Sequence, residues 1–305
     1  LARDEDRALA RDDFETERPN PRSAELDTLS VADAFDVVNA EDASVALAVA
    51  RAKPEIVRAV ELVRERLARG GRLFYVGAGT SGRLGVLDAV ECPPTFQTDP
   101  AQVQGVLAGG DGAMWRAVEG AEDSRDAART ELFARGLASN DVVFAIAAGG
   151  TTPFAHGAID AGRERGAATI FLACVPKERA RDDADVSIRI VTGPEVLAGS
   201  TRMKAGTATK LVLNTVSTLA MAGLGKIHAN RMVDVNTRGN AKLWQRGITL
   251  VTELAHVDRA RAEELLTAAD GQVKLAIVMG ARNESRDAAR ERLERAHGVL
   301  RRALE

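Results

Sequence analysis

The chain has 305 residues, 45% of them hydrophobic, with 41 basic and 44 acidic side chains interspersed along it and a formal net charge of -3. That is enough apolar material for a full globular core, and the even mixture of charge excludes the basic footprint of a DNA or RNA partner. Two cysteines, Cys92 and Cys174, cannot build a disulfide framework, and neither they nor the four histidines have metal-ligand spacing, so no metal is expected and a reducing cytoplasm is the natural setting.

The opening "LARDEDRALARDDFETE" is dense in charge, which speaks against a signal peptide or anchor and predicts a solvated or loosely helical arm over residues 1–43. From Ser44 to Arg69 apolar residues recur at helical spacing up to a stop at Gly70-Gly71, and Pro54 divides this stretch into two helices. Short apolar runs follow at 72–76, 103–108, 141–147, 168–173 and 186–191, separated by helical segments or loops. Strands alternating with helices predict a three-layer α/β sandwich with a mainly parallel sheet, placed at 44–226. The apolar stretch 211–225 is interrupted by Asn214, Thr215, Ser217 and Thr218 and is shorter than the roughly 20 residues of a membrane span, so it reads as a buried helix. Residues 227–305 carry helical periodicity and no strand signal, which predicts a C-terminal helical region.

Between the first strand and the helix after it lies "GAGTSGR", in which Gly77, Gly79 and Gly82 have the G-x-G-x-x-G spacing of a dinucleotide-binding loop. A dinucleotide site needs an acid roughly 20 residues further on to hold a ribose hydroxyl. Here Asp111 comes 29 positions after Gly82, and Asp99 precedes the second strand. Thr80 and Ser81 instead add hydroxyl donors to the backbone N–H groups, which suits a terminal phosphate. Two more loops repeat the chemistry: "AAGGTTP" with Gly150, Thr151 and Thr152, and "LAGSTRMKAGT" with Ser200 and Thr201. Each alone could be an ordinary turn or helix cap. Together, at the carboxyl ends of parallel strands, they suggest one phosphomonoester site. Lys204 and Arg202 either neutralise a phosphate or carboxylate there or are exposed helix cations.

Two acidic motifs suggest chemistry. Glu91 precedes Cys92-Pro93-Pro94, whose fixed φ angles would stiffen a loop around it; Glu122 lies in "AVEGAEDS", just past the second strand. Two carboxylates near one sheet edge suit acid and base roles. An exposed loop acid at Glu91 and helix first-turn acids at Glu119, Glu122 and Asp123 are the structural alternatives.

The segments "TERPNPRSAELD" (16–27), "GAGTSGRLGVLDAVECPPTF" (77–96), "AVEGAEDS" (117–124), "GSTRMKAGTATKLVLN" (199–214) and "MVDV" followed by "NAKL" (232–243) resemble the N-acetylmuramic acid 6-phosphate etherases. The resemblance spans most of the chain from Thr16 onward. It implies a sugar isomerase (SIS) fold and a cytoplasmic homodimer that needs no cofactor and acts on an amino-sugar phosphate in cell-wall recycling, releasing D-lactate and N-acetylglucosamine 6-phosphate. It also implies that Glu91 protonates the leaving lactate and that Glu122 is the second acid/base carboxylate. Ring opening exposes an aldehyde at carbon 1, which acidifies the carbon 2 proton. Glu122 removes that proton, Glu91 protonates the departing oxygen, and water then adds at carbon 3. Gly149 stands where the family usually has a serine, with Thr151 or Thr152 able to supply a hydroxyl, and "ACVP" (173–176) replaces the family's frequent "S-C-N-P". A sugar-phosphate sensor of the glucokinase regulatory type and a sugar-phosphate isomerase are the competing readings.

Overall fold

The computed structural model describes residues 15–305, so most of the charged N-terminal segment lies outside the described residues. The chain forms two compact units: one from its N-terminal part up to Asp88 together with Gln104–Val216, the other from Ala89–Val103 with Ser217–Glu305.

The first unit is built on a five-stranded sheet of β1 (Leu73–Gly77), β2 (Val103–Leu107), β3 (Val142–Ile146), β4 (Ala168–Ala173) and β5 (Val186–Arg189), ordered β2-β1-β3-β4-β5. The β1/β3, β3/β4 and β4/β5 pairs are parallel, with Leu73 opposite Val142 and Val142 opposite Ala168. The runs "LFYVG", "VVFAI" and "ATIFLA" are buried at every position because they occupy the interior of the sheet, covered on both faces. "VSIR" alternates between buried and half-buried, as an edge strand does. Strand order reverses between β1 and β3, and a ligand site of an open parallel sheet lies outside the carboxyl ends of the strands at such a point.

Helices α1 (Val31–Ala43), α2 (Val45–Arg51) and α3 (Lys53–Ala68) precede the sheet. The break between α2 and α3 falls at Ala52 and leaves Pro54 in the first turn of α3, where its missing N–H takes no bond from the helix. Ile56, Ala59, Val63 and Leu67 form the buried stripe of α3, which packs on β5. Helix α4 (Gly79–Phe96) follows β1, α5 (Arg125–Ala134) follows β2, α6 (Pro153–Glu164) follows β3, and α7 (Lys204–Gly223) contains the long apolar stretch. None of the described helices is long and apolar enough to cross a membrane.

Helix α4 runs further than the sequence pattern suggests. Pro93 and Pro94 lie inside its last turns, so Glu91 is a helical residue and not a member of a stiffened loop. Two prolines remove the helix N–H donors at those positions, a loss confined to the end of the helix, which stops at Phe96.

The residue 16–43 segment is also more ordered than an arm. Asn20 caps a short 3-10 turn at Pro21–Ser23, Ser30 caps α1, and the Ser23 hydroxyl donates to the Val196 carbonyl at 2.7 Å. In the second unit, α8 (Ala241–Ala255), α9 (Arg259–Ala268), α10 (Val273–Arg282), α11 (Arg286–Arg295) and α12 (Leu300–Leu304) enclose a core that includes Ile248, Leu266 and Ile277. Asn240, Asp258 and Ser285 cap three of these helices with side-chain oxygens. A hairpin of β6 (Ile227–His228) and β7 (Arg231–Met232) precedes them. Strands of two residues are too short to show the alternation by which a strand is read in sequence.

Candidate functional site

A cleft of about 230 Å³ opens at the carboxyl ends of β1 and β3, where the strand order reverses. One wall is the turn from β1 into α4, with Ala78, Gly79, Thr80 and Ser81; the opposite wall is the turn after β3, with Ala148, Gly149, Thr151 and Thr152. Thr201 from the third loop and Glu122 from the 3-10 turn Ala121–Asp123 complete it from the sides the sequence indicates. Thr16 and Glu17 close it from the N-terminal segment, a contribution that pattern reading did not assign.

Two helices begin at this cleft. Helix α4 starts at Gly79, and α6 starts at Pro153 with Thr152 as its N-cap. The first N–H groups of a helix have no acceptor within it, so these two ends concentrate donors and partial positive charge on the same space. The hydroxyls of Thr80, Ser81, Thr151, Thr152 and Thr201 surround it. Such a wall binds an anion with many acceptor oxygens, and phosphate is the biological group that fits this donor set.

The third helix start is closed. Glu195, fully buried, accepts hydrogen bonds from the backbone N–H groups of Lys204 and Ala205, both at 2.9 Å. Burial raises the Glu195 carboxyl above its ordinary value, against the opposing pull of those hydrogen bonds and of Lys204. An internal acid therefore occupies the place where α7 would hold a ligand anion.

Lys204 itself is 2% exposed, and its ammonium lies 2.5 Å from Glu41 on α1. Asn20 donates to the same carboxylate at 2.9 Å, and Arg22 pairs with its other oxygen at 3.2 Å. Burial pushes the Glu41 carboxyl up, but hydrogen bonds from Lys204 and Asn20 and the charges of Lys204 and Arg22 more than offset it and hold it below its ordinary value. Lys204 is thus neither at the phosphate wall nor exposed; it ties the third loop to the N-terminal segment. Ser200 likewise does not line the cleft.

The glycines have different jobs. Gly82 belongs to the packing of α4 on the sheet, since a Cβ there would stand 2.3 Å from the Gly77 carbonyl oxygen. Gly150 has φ +79°, turns the second loop with its N–H donating to the Ala147 carbonyl at 2.9 Å, and faces a neighbouring cavity with Thr151 and His156. His156 Nε2 lies 2.8 Å from the Gly150 carbonyl and steadies that turn.

Glu122 lines this cleft and also an adjoining one of about 180 Å³ with Gly79, Arg83 and Glu119. Glu91 lines neither. It is exposed on α4, twelve residues after Gly79, a separation of about 18 Å along a helix axis. Glu91 falls in the second compact unit and Glu122 in the first. Among the described residues no group of three or more His, Cys, Asp or Glu side chains could hold a metal ion.

Comparison with known proteins bears on the fold and on the family. The profile of the glucokinase regulatory protein N-terminal SIS domain matches residues 55–163. A protein of Bacteroides fragilis described as a phosphosugar isomerase involved in capsule formation superposes with a TM-score of 0.51 at 17% identity, over 70% of this chain and 99% of its own, which shows the fold alone. Much closer in sequence are curated proteins named N-acetylmuramic acid 6-phosphate etherase. That of Synechocystis sp. is 50% identical over 290 residues, covering 95% of each chain. That of Gloeobacter violaceus is 52% identical over 290 residues, covering 95% of this chain and 94% of its own.

Proposed function

The chain belongs to the N-acetylmuramic acid 6-phosphate etherase family, and from that premise we propose that it cleaves the D-lactyl ether of N-acetylmuramic acid 6-phosphate, giving N-acetylglucosamine 6-phosphate and D-lactate. The observation that carries this reading is the cleft at the β1/β3 reversal, in which two helix N-termini and six hydroxyl side chains share one wall system with Glu122. The phosphate sits against Thr80, Ser81, Thr151 and Thr152. That end leaves Gly149 without a side chain, and the two flanking threonines supply hydroxyls in its place.

With the phosphate held there, Glu122 acts on the sugar. In the ring-opened form the carbon 1 aldehyde acidifies the proton on carbon 2, and the Glu122 carboxylate takes it as general base. The carbon–oxygen bond at carbon 3 breaks as the double bond to carbon 2 forms, and the departing lactate oxygen receives its proton from Glu91. Water then adds at carbon 3, losing a proton to the Glu91 carboxylate while Glu122 returns its proton to carbon 2, so the product regains a hydroxyl where the ether stood and both glutamates return to their starting states.

Glu91 is exposed about 18 Å of helix rise beyond Gly79. We therefore place it in the cleft of a second copy: the enzyme works as a cytoplasmic homodimer in which each chain lends Glu91 to its partner. The first test is D-lactate release from N-acetylmuramic acid 6-phosphate by the purified protein, beside Glu122→Gln. Release by the parent and its loss in the variant are expected. A folded parent that binds the sugar phosphate but releases no lactate would overturn the etherase reading in favour of a sensor.

A further inference from the structure

The N-terminal motif "TERPNP" puts two side chains on the cleft whose polar groups take no hydrogen bond among the described residues. Thr16 is fully buried, and its hydroxyl oxygen has no hydrogen-bond partner. A buried hydroxyl left without a partner is unfavourable, and a bound ligand or water is one of the ways such a group is satisfied. Glu17, next to it, is exposed and lines the same cleft, and no hydrogen bond or ion pair engages its carboxylate among the described residues.

Both residues are held in place from behind. The Gly199 N–H donates to the Thr16 carbonyl at 3.0 Å, and Glu17 Oε2 stands so close to Gly199 that a Cβ there would be 2.9 Å away. Gly199 has φ +75°, a backbone conformation that L side chains rarely adopt. Further along, Asn20 and Arg22 fasten the same segment to the buried Glu41–Lys204 pair.

Charge sorts what this wall can touch. A carboxylate repels a phosphate dianion, so Glu17 cannot share the phosphate end with the two helix N-termini. A ligand with its phosphate at Thr80, Ser81, Thr151 and Thr152 must present something else to Glu17, and a carboxylate that only accepts hydrogen bonds selects donors. Resting on the sugar-phosphate reading above, we propose that Glu17 is a substrate-contacting residue that accepts hydrogen bonds from the hydroxyl or amide N–H groups of the sugar, with the Thr16 hydroxyl completing that end of the cleft. The cleft then measures a ligand from both ends, and Glu17 sets its preference for a polyhydroxylated amino-sugar phosphate over a bare phosphate.

Calorimetric titration of the full chain with N-acetylglucosamine 6-phosphate and, separately, with inorganic phosphate tests this, on the parent, Glu17→Gln, Glu17→Asp and Thr16→Val. Losing a charged acceptor weakens the sugar phosphate by about tenfold or more in Glu17→Gln, with partial recovery in Glu17→Asp, a smaller loss in Thr16→Val, and inorganic phosphate unchanged. Thermal melts on the same samples establish that each variant is folded; Glu17 is exposed and Thr16→Val is close to isosteric. Equal weakening of both ligands, or of neither, in a parent that binds both would overturn the assignment while leaving the sugar-phosphate site standing. A parent that binds neither ligand overturns the sugar-phosphate reading, and the role of Glu17 with it.

Discussion

Pairing a Glu91→Gln chain with a Glu122→Gln chain separates a cleft shared between copies from one completed within a chain. Each variant alone has one carboxylate missing from every site, and removal of a general acid or base lowers a rate by about 100- to 10,000-fold. In a mixed dimer the cleft on the Glu91→Gln chain keeps its own Glu122 and receives an intact Glu91 from the other copy, whereas the second cleft lacks both. One site of two is whole, so the mixed dimer should work at about half the parent rate. The geometry behind this is the placement of Glu91 twelve residues along α4 from Gly79, about 18 Å of axis, against a cleft of about 230 Å³ that holds Glu122. The assay is D-lactate release by dimers co-expressed with two different tags and purified through both. Activity no higher than that of the two single variants would refute the shared cleft and require Glu91 to reach Glu122 within its own chain.

Other perturbations follow from the packing. Lys204→Met leaves the buried Glu41 carboxylate without its ammonium, a change that costs about 3–5 kcal/mol, so the melting temperature should fall sharply. Because the folded carboxyl of Glu41 lies below its ordinary value, its contribution is present above the unfolded pKa and is lost as pH falls through the folded one. The melting gap between the parent and Glu41→Gln should therefore be widest near neutrality and close in acid, and a gap that stays constant with pH would refute the pairing. Gly82→Ala puts a Cβ 2.3 Å from the Gly77 carbonyl oxygen, where only backbone can give way; it should lower stability by about 1–3 kcal/mol or more in chemical denaturation. Burial and the nearby Glu195 charge push the fully buried Cys174 thiol up to about 12, so iodoacetamide should modify it only after unfolding.

The sheet was legible because its strands are short apolar runs bounded by turn residues, and "LFYVG", "VVFAI" and "ATIFLA" owe that composition to burial on both faces. That Thr80, Ser81, Thr151, Thr152 and Thr201 line one cleft was legible for a related reason: hydroxyls beside glycine at a strand end sit at a place fixed by parallel topology. What could not be read were the directions of side chains set by distant packing. Lys204 looks like a ligand cation in "GSTRMKAGT", and only a buried acid 163 residues earlier, Glu41, decides otherwise. Glu195 gives no local sign that it caps α7. Glu91 read as a loop residue because proline usually ends a helix, yet α4 continues to Phe96. The hairpin at 227–232 is too short to leave a pattern.

The resemblance of "GAGTSG" to a dinucleotide loop has a physical cause that also shows where the two part. Both uses need a strand to end, the chain to turn without side-chain hindrance, and a helix to begin close against the sheet, and glycine at these positions serves all three. Divergence comes from what surrounds the anion next. A bridging pyrophosphate must pass on in both directions, so its cradle is backbone and its recognition lies on the ribose, at an acid ending the second strand. Here β2 runs into Gly109 and Gly110, and the acid that follows, Asp111, comes 29 positions after Gly82 and does not line the cleft. The space beside the first loop is instead walled by the second, whose Thr151 and Thr152 face Thr80 and Ser81 across the cleft. A terminal phosphate held at these hydroxyls would leave the rest of the ligand to the part of the cleft lined by Glu17 and Glu122. A cleft lined by hydroxyls and helix N-termini along one part and by two carboxylates along another suits proton transfer on a phosphorylated sugar better than hydride transfer to a nicotinamide.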